Sequence, residues 1–196
     1  MSRFSETERN TKETKIKVAL ELDGNGNANI DTGVGFFNHM LEGFTKHGFF
    51  DLNLKCVGDL QVDAHHTVED CGITLGMALE KALGDKKGIS RFGNFILPMD
   101  DALVLCAIDL GGRPYLNFDV DFPTEKCGDM DTQLANEFFY AISYSAKMNI
   151  HFKKLSGTNS HHIMEACFKA FAKALDQATR MDERLNGNVL STKGTL

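Results

Sequence analysis

The sequence predicts an α+β fold made of duplicated ββαβα half-domains, with two sheets packed against four helices in one layered domain. Three observations point there. Apolar residues alternate at period two in some segments and recur at helical spacing in others, and these segments come in the same order twice. Letters repeat along with the pattern: NHML at 38–41 answers NEFF at 136–139, and HHTVE at 65–69 answers HHIME at 161–165. Each half is too small to bury much of its own surface, so 1–196 is expected to be a single domain. Its pseudo-symmetric halves fall at about 12–84 and 102–181.

TKIKVALEL at 14–22 places Ile16, Val18, Leu20 and Leu22 on one side, DGNGN supplies a turn, and ANIDT follows as a short second strand, which together predict a β-hairpin. GFFNHMLEGFTKHG at 35–48 spaces Phe36, Phe37, Met40, Leu41 and Phe44 as a helix does, and DLNLKCV at 51–57 alternates again. From His65 to about Leu83 one apolar stripe predicts a second helix, with Gly84 where a helix-ending glycine belongs. RFGNFILPM at 91–99 reads as a connecting strand. ALVLCAIDL at 102–110 and PYLNFDVDF at 114–122 then alternate across Gly111-Gly112. A helix at 132–148, a strand at 149–155 and a helix from His161 to about Met181 close the second copy. The phenylalanines Phe36, Phe37, Phe44, Phe49, Phe138 and Phe139 are expected in the core.

Composition narrows the function. With 42% hydrophobic and 24% charged residues the chain is an ordinary globular sequence, not a disordered one. The wholly apolar run ALVLCAI is far short of the roughly 20 residues that span a bilayer, and the start MSRFSETERN has no apolar signal region, so a cytoplasmic location and no membrane partner are expected. A net charge of −6 without basic runs argues against nucleic acid and favours a small ligand. Five cysteines without a CxxC pair suggest reduced, buried thiols.

The paired HHxxE motifs carry the chemistry. Residues four apart share a helix face while neighbours diverge by about 100°, so His65 can share a metal with Glu69 while His66 points elsewhere, and His161, Glu165 and His162 repeat the pattern. Imidazoles mixed with carboxylates suit a borderline divalent transition metal. One such motif at a helix start is ordinary polar capping; two in register favour metal binding. Pseudo-symmetry suggests His65, Glu69 and His162 around one ion, and His161, Glu165 and His66 around another. His39 would complete the second site and its repeat mate Glu137 the first, with His151 as the competing ligand.

Beyond these motifs, RNTKET at 9–14, LDGNG at 22–26, GFFNHML, GDLQVDAHHTVED, PMDDALV, DLGGRPY and GTNSHHIMEACFKAFAKAL follow in an order that resembles the imidazoleglycerol-phosphate dehydratase family over nearly the whole chain. The resemblance implies a manganese-dependent lyase of histidine biosynthesis that converts imidazole glycerol phosphate to imidazole acetol phosphate by loss of water. It further implies two Mn²⁺ per chain shared between subunits, and a large octahedral homo-oligomer with active sites at subunit contacts. Glu13 and His47 would act in catalysis, with His39 also beside the substrate. Arg91, Arg113, Lys169, Ser191 and Lys193 would hold the phosphate, the last two on a C-terminal phosphate-binding tail. Two guanidiniums and two ammoniums are suitable donors for a dianion.

The chemistry fits those residue types. Expelling an unactivated hydroxyl requires removing a proton that is not acidic, and two ions holding the ring as an imidazolate would drive elimination through a diazafulvene-like intermediate. Two departures stand out: Gly43 replaces a glutamine of many relatives, and Glu137 a histidine of some. The rival classes are a di-metal hydrolase, which would hold its ions about 3.5–4 Å apart, and a metal-storage shell without a phosphate pocket.

Overall fold

The computed structural model describes residues 3–196. The first half contains β1 (Phe4–Asn10), β2 (Thr14–Glu21), β3 (Ala28–Asp31), α1 (Gly35–Gly48), β4 (Asp51–Gly58) and α2 (His65–Leu83). The second contains β5 (Phe92–Met99), β6 (Ala102–Asp109), β7 (Tyr115–Asp119), the small hairpin β8 (Lys126–Cys127) and β9 (Met130–Asp131), α3 (Leu134–Ala146), β10 (Asn149–Ser156) and α4 (Ser160–Thr179). The sheets have matching orders, β1-β2-β4-β3 and β5-β6-β10-β7, each with one parallel pair at its end.

This topology corrects the predicted hairpin over 14–31. β2 and β3 are not neighbours; β4 lies between them, and β3 runs parallel to it with Ile30 opposite Leu54. The cause is Asp51 at the start of β4. One of its carboxylate oxygens accepts the backbone N–H groups of Asn25 and Asn27 at 2.9 Å each and the Asn27 amide at 3.0 Å, stretching DGNGN across the strand end. Segment 91–99 is likewise no connector: as β5 it is an edge strand of the second sheet, antiparallel to β6. Its counterpart β1 escapes periodicity because its buried side is polar. Ser5 and Thr7 donate to the α2 carbonyls of Ala78 and Thr74 at 2.7 and 3.1 Å, and Arg9 pairs with Asp70 at 3.0 Å. The repeat is therefore βββαβα, twice.

The inner faces of both sheets are apolar, with Ile16, Val18, Leu20, Leu52 and Leu54 on one and Val104, Cys106, Ile108, Ile150 and Phe152 on the other. Helices fill the space between, α2 packing on α3 and α1 on α4, so every helix touches the other half. At Gly72 an added Cβ would lie 2.8 Å from the Phe138 carbonyl oxygen, so α2 and α3 approach at backbone distance. Phe37, Phe138, Phe139, Phe168 and Phe171 form a continuous aromatic cluster at the centre. Phe49, expected in that core, is instead 53% exposed: it caps α1 with a left-handed φ of 59° and turns outward beneath the Lys173 ammonium. All five cysteines are buried and free.

Candidate active site

α1 and α4 belong to different halves and pack side by side, which sets His39 against the second HHxxE motif. His161 Nε2 lies 3.3 Å and His39 Nε2 3.8 Å from Glu165 Oε2, and the three residues offer donor atoms all within 4.8 Å of one another. This is the only such group of three among the described residues. Burial opposes ionisation of Glu165, but the Lys169 ammonium, 2.5 Å from its other oxygen, and the two imidazoles hold its pKa below the ordinary value. Two imidazoles and one ionised carboxylate are a donor set for a borderline divalent cation such as Mn²⁺, Fe²⁺ or Zn²⁺.

The pseudo-equivalent group on α2 is looser. His65 Nε2 is 3.9 Å from Glu69 Oε2, both side chains remain more than two-fifths exposed, and Ile73 stands where the second half has Lys169. Glu137 lies in the first turn of α3, the helix packed on α2, but does not complete a group of three.

The second histidine of each pair points away from these groups, as helical geometry requires, and meets a carboxylate. His66 Nδ1 is 3.1 Å from Asp59, and its Nε2 faces Glu13 at 3.9 Å. His162 Nδ1 is 2.7 Å from Asp101, and its Nε2 lies 3.4 Å from Asp100. A carboxylate at Nδ1 fixes the tautomer and leaves Nε2 to act as a ligand. The hydrogen bond that Asp59 accepts from the His66 ring raises the pKa of that imidazole. Asp101 also accepts the backbone N–H groups of Thr158 and Asn159, which with His162 hold its carboxyl far below the carboxylate range. Asp59, Asp100 and Asp101 went unremarked as site residues in the sequence; Asp101 and His162 are 61 positions apart, and no spacing rule joins them. Within one chain neither His66 nor His162 reaches the other half's HHxxE group. His151 stands on the outer face of the second sheet against the Tyr115 ring, away from both groups.

His47, two helical turns beyond His39, lines a cavity of about 380 Å³ with Lys46, Phe49, Phe95, Lys169 and Lys173. Burial, reinforced by the Lys169 and Lys173 ammoniums, lowers its pKa, which favours the neutral imidazole. Between His39 and His47, a Cβ at Gly43 would meet nothing within 4 Å, so the helix face is open there.

Arg91 is no loose surface residue. With a left-handed φ of 67° it donates Nε and Nη2 to Asp109 at 2.7 and 3.1 Å and Nη1 to the Leu190 carbonyl at 2.7 Å, tethering the C-terminal tail that carries Ser191 and Lys193. Arg113 is exposed nearby, its carbonyl accepting from Asn149 at 2.6 Å. The Arg91 N–H bonds Ala178 near the end of α4, thirteen residues past Glu165, or about 20 Å at 1.5 Å per residue. In one chain the basic corner and the His39 group cannot hold opposite ends of one small molecule.

Comparison with known proteins identifies the class. The family model described as imidazoleglycerol-phosphate dehydratase matches residues 32–175. Proteins of that name from Lachnoclostridium phytofermentans and Acetivibrio thermocellus are 61% and 57% identical to this chain over 196 residues, the full length of both partners in each case. The crystal structure of the dehydratase from Staphylococcus aureus superposes with a TM-score of 0.83 at 38% identity, covering 91% of this chain and 99% of that one. The Pyrococcus furiosus enzyme in complex with (S)-C348 gives 0.83 at 40% identity, covering 96% and 99%. The fold and site thus define a duplicated α+β hydro-lyase. The chain belongs to the imidazoleglycerol-phosphate dehydratase family.

Proposed function

We propose that this chain dehydrates imidazole glycerol phosphate to imidazole acetol phosphate in histidine biosynthesis, with two Mn²⁺ per chain and active sites completed between copies of a large octahedral homo-oligomer. The observation that carries the metal reading is the His39, His161 and Glu165 group, drawn from both halves and chemically suited to manganese. The chain's own architecture supports the oligomer. About 20 Å of α4 separates Glu165 from the basic corner, so a phosphate held by Arg91, Arg113, Ser191 and Lys193 belongs with the ligands of another copy. Lys169, expected beside them, is paired with Glu165 in its own chain and would meet a phosphate from that side. That His66 and His162 face carboxylates outside their own half's group supports the reading that they serve a neighbouring copy. The second sheet's outer face, with Ile96 and Leu155 about half exposed, offers an apolar surface for subunit contact. A cytoplasmic location accords with this pathway; among the described residues no helix is long and apolar enough to cross a membrane.

Bound manganese would hold the imidazole and ease loss of its proton. The protein residues do the remainder. Glu13 is solvent-accessible at the β1–β2 turn beside His66, where it can carry a proton between the substrate carbon and the departing hydroxyl. His47, its neutral form favoured by burial, can accept a proton inside its cavity, and Lys169 bridges Glu165 and that cavity. The basic corner fixes the phosphate end by charge-assisted hydrogen bonds. The test is an assay with imidazole glycerol phosphate after chelation and return of Mn²⁺. Turnover lost and then restored is expected; full turnover after exhaustive chelation overturns the metal requirement, and no product under any metal overturns the substrate.

A further inference from the structure

The hairpin at Lys126–Asp131 lies between the starts of the two helices that carry the best-formed ligand group. The N-cap residue of α1 is Val34, which has no side chain to accept the helix's first amides. Those amides go to the other half: Gly35 N–H donates to Asp129 Oδ2 at 2.7 Å and Phe36 N–H to Oδ1 at 2.9 Å. A carboxylate gripping two orphan donors at the positive end of a helix dipole is a firm attachment. By contrast α2 and α4 begin on local acceptors, Asp63 and Asn159.

The same segment is fastened to α4. Thr124 N–H donates to Ser160 Oγ at 3.0 Å, and Thr132 Oγ1 donates to the Thr124 carbonyl at 2.9 Å, closing the loop around the hairpin. Both attachment points adjoin ligands: His39 is one helical turn beyond Gly35, and His161 follows Ser160 directly. Phe36 links the two, its ring edge-on to the His161 imidazole with centroids 5.1 Å apart. Gly128, at φ 59°, lets the hairpin lie against Phe36; a Cβ there would be 3.3 Å from the Phe36 Cβ.

We propose that this hairpin is a bracket setting the separation of the His39 and His161 imidazoles, with Asp129 as its positioning residue. The proposal rests on the metal reading of the His39 group. It extends that reading to a residue that touches neither metal nor substrate, and it makes α1's register depend on the second half.

The test uses the full chain, titrated with Co²⁺ and followed by its visible d–d absorption, in wild type, His39→Ala, Asp129→Ala, Asp129→Asn and Ser5→Ala. Ser5→Ala removes a buried hydrogen bond from β1 to α2 and so reports lost stability without touching the bracket. The band that His39→Ala abolishes marks the site. Asp129→Ala is expected to shift that band and weaken Co²⁺ binding about 10- to 100-fold, the usual scale for an outer-shell partner. Asp129→Asn, which keeps one acceptor oxygen, should recover part of the affinity, and Ser5→Ala should match wild type. Wild-type affinity and spectrum in Asp129→Ala overturn the bracket. If that variant does not fold, wild-type behaviour in Asp129→Asn overturns it equally. Cobalt uptake indifferent to His39→Ala overturns the metal reading itself, and the bracket with it, whatever Asp129 does.

Discussion

His66 and His162 occupy the same place in the two halves, yet the carboxylates beside them are in different situations. Glu13, at the turn entering β2, faces His66 at 3.9 Å with its side chain 54% exposed. Asp101, at the turn entering β6, is tied to His162 and to the Thr158 and Asn159 backbone. A carboxylate saturated with donors and held far below the carboxylate range is a poor proton carrier, whereas an exposed one has free oxygens to offer a substrate. The duplication thus supplied two turns: Asp101 of the second is tied to its imidazole and to backbone, while Glu13 of the first is exposed, as is Asp100 beside His162 Nε2.

That contrast breaks most sharply at Glu13. Glu13→Gln is expected to lower turnover about 10²- to 10⁴-fold with manganese saturated, while metal and substrate affinity stay near wild type. Normal turnover would return Glu13 to an ordinary turn residue and leave the proton to His47. The basic corner of Arg91, Arg113 and Lys193 is built on the second half and its tail. Removing the Arg113 guanidinium with Arg113→Ala should raise KM by roughly 10- to 150-fold, equivalent to about 1.5–3 kcal/mol for a lost charged hydrogen bond, with metal content unchanged. Steady-state kinetics with the phosphorylated substrate decide it.

How far the sequence reached differs between the two levels. Helices α1 and α2 matched their predicted bounds closely because their stripes are strongly apolar, and the duplication was visible in HHxxE itself. β1 was lost because Ser5, Thr7 and Arg9 face α2 by hydrogen bonds, which leave no hydrophobic period. The strand order was lost because Asp51 reaches across to Asn25 and Asn27, a contact no local turn rule contains. At the site, residues that a helix repeats at fixed spacing were legible, but Asp59, Asp101 and Asp129 were not. They reach His66, His162 and α1 from other elements, and only folding brings them close.

Asp101 sharpens the same contrast from the other side. Asp101→Asn keeps a side chain of the same shape but loses the carboxylate that fixes the His162 tautomer. Manganese affinity should fall about 10- to 100-fold, and turnover should recover when excess Mn²⁺ is supplied. Glu13→Gln and Asp101→Asn therefore trade places in two measurements, metal titration and saturated turnover. A turnover defect in Asp101→Asn that no amount of manganese repairs would mean that both turns serve chemistry and the asymmetry is illusory.

The smallest expected effect lies at the crossing loops. In each half the first residue of the inner strand holds the loop that passes over it: Asp51 accepts from Asn25 and Asn27, while Asn149 donates to the Arg113 carbonyl. Only the first of these titrates. The donated N–H groups lower the Asp51 pKa in the folded chain below its unfolded value. A depressed carboxylate contributes stability in full above the unfolded pKa, near 3.9, and loses it as pH falls through the folded one. Protection of the Asn25 and Asn27 amides against hydrogen exchange should therefore decline below about pH 4, while that of the 110–113 loop stays level over the same range. Asp51→Asn should remove the acid dependence at Asn25 and Asn27 without altering the second loop. Parallel loss of protection in both loops would show that acid loosens the whole fold instead of the one loop that a carboxylate holds.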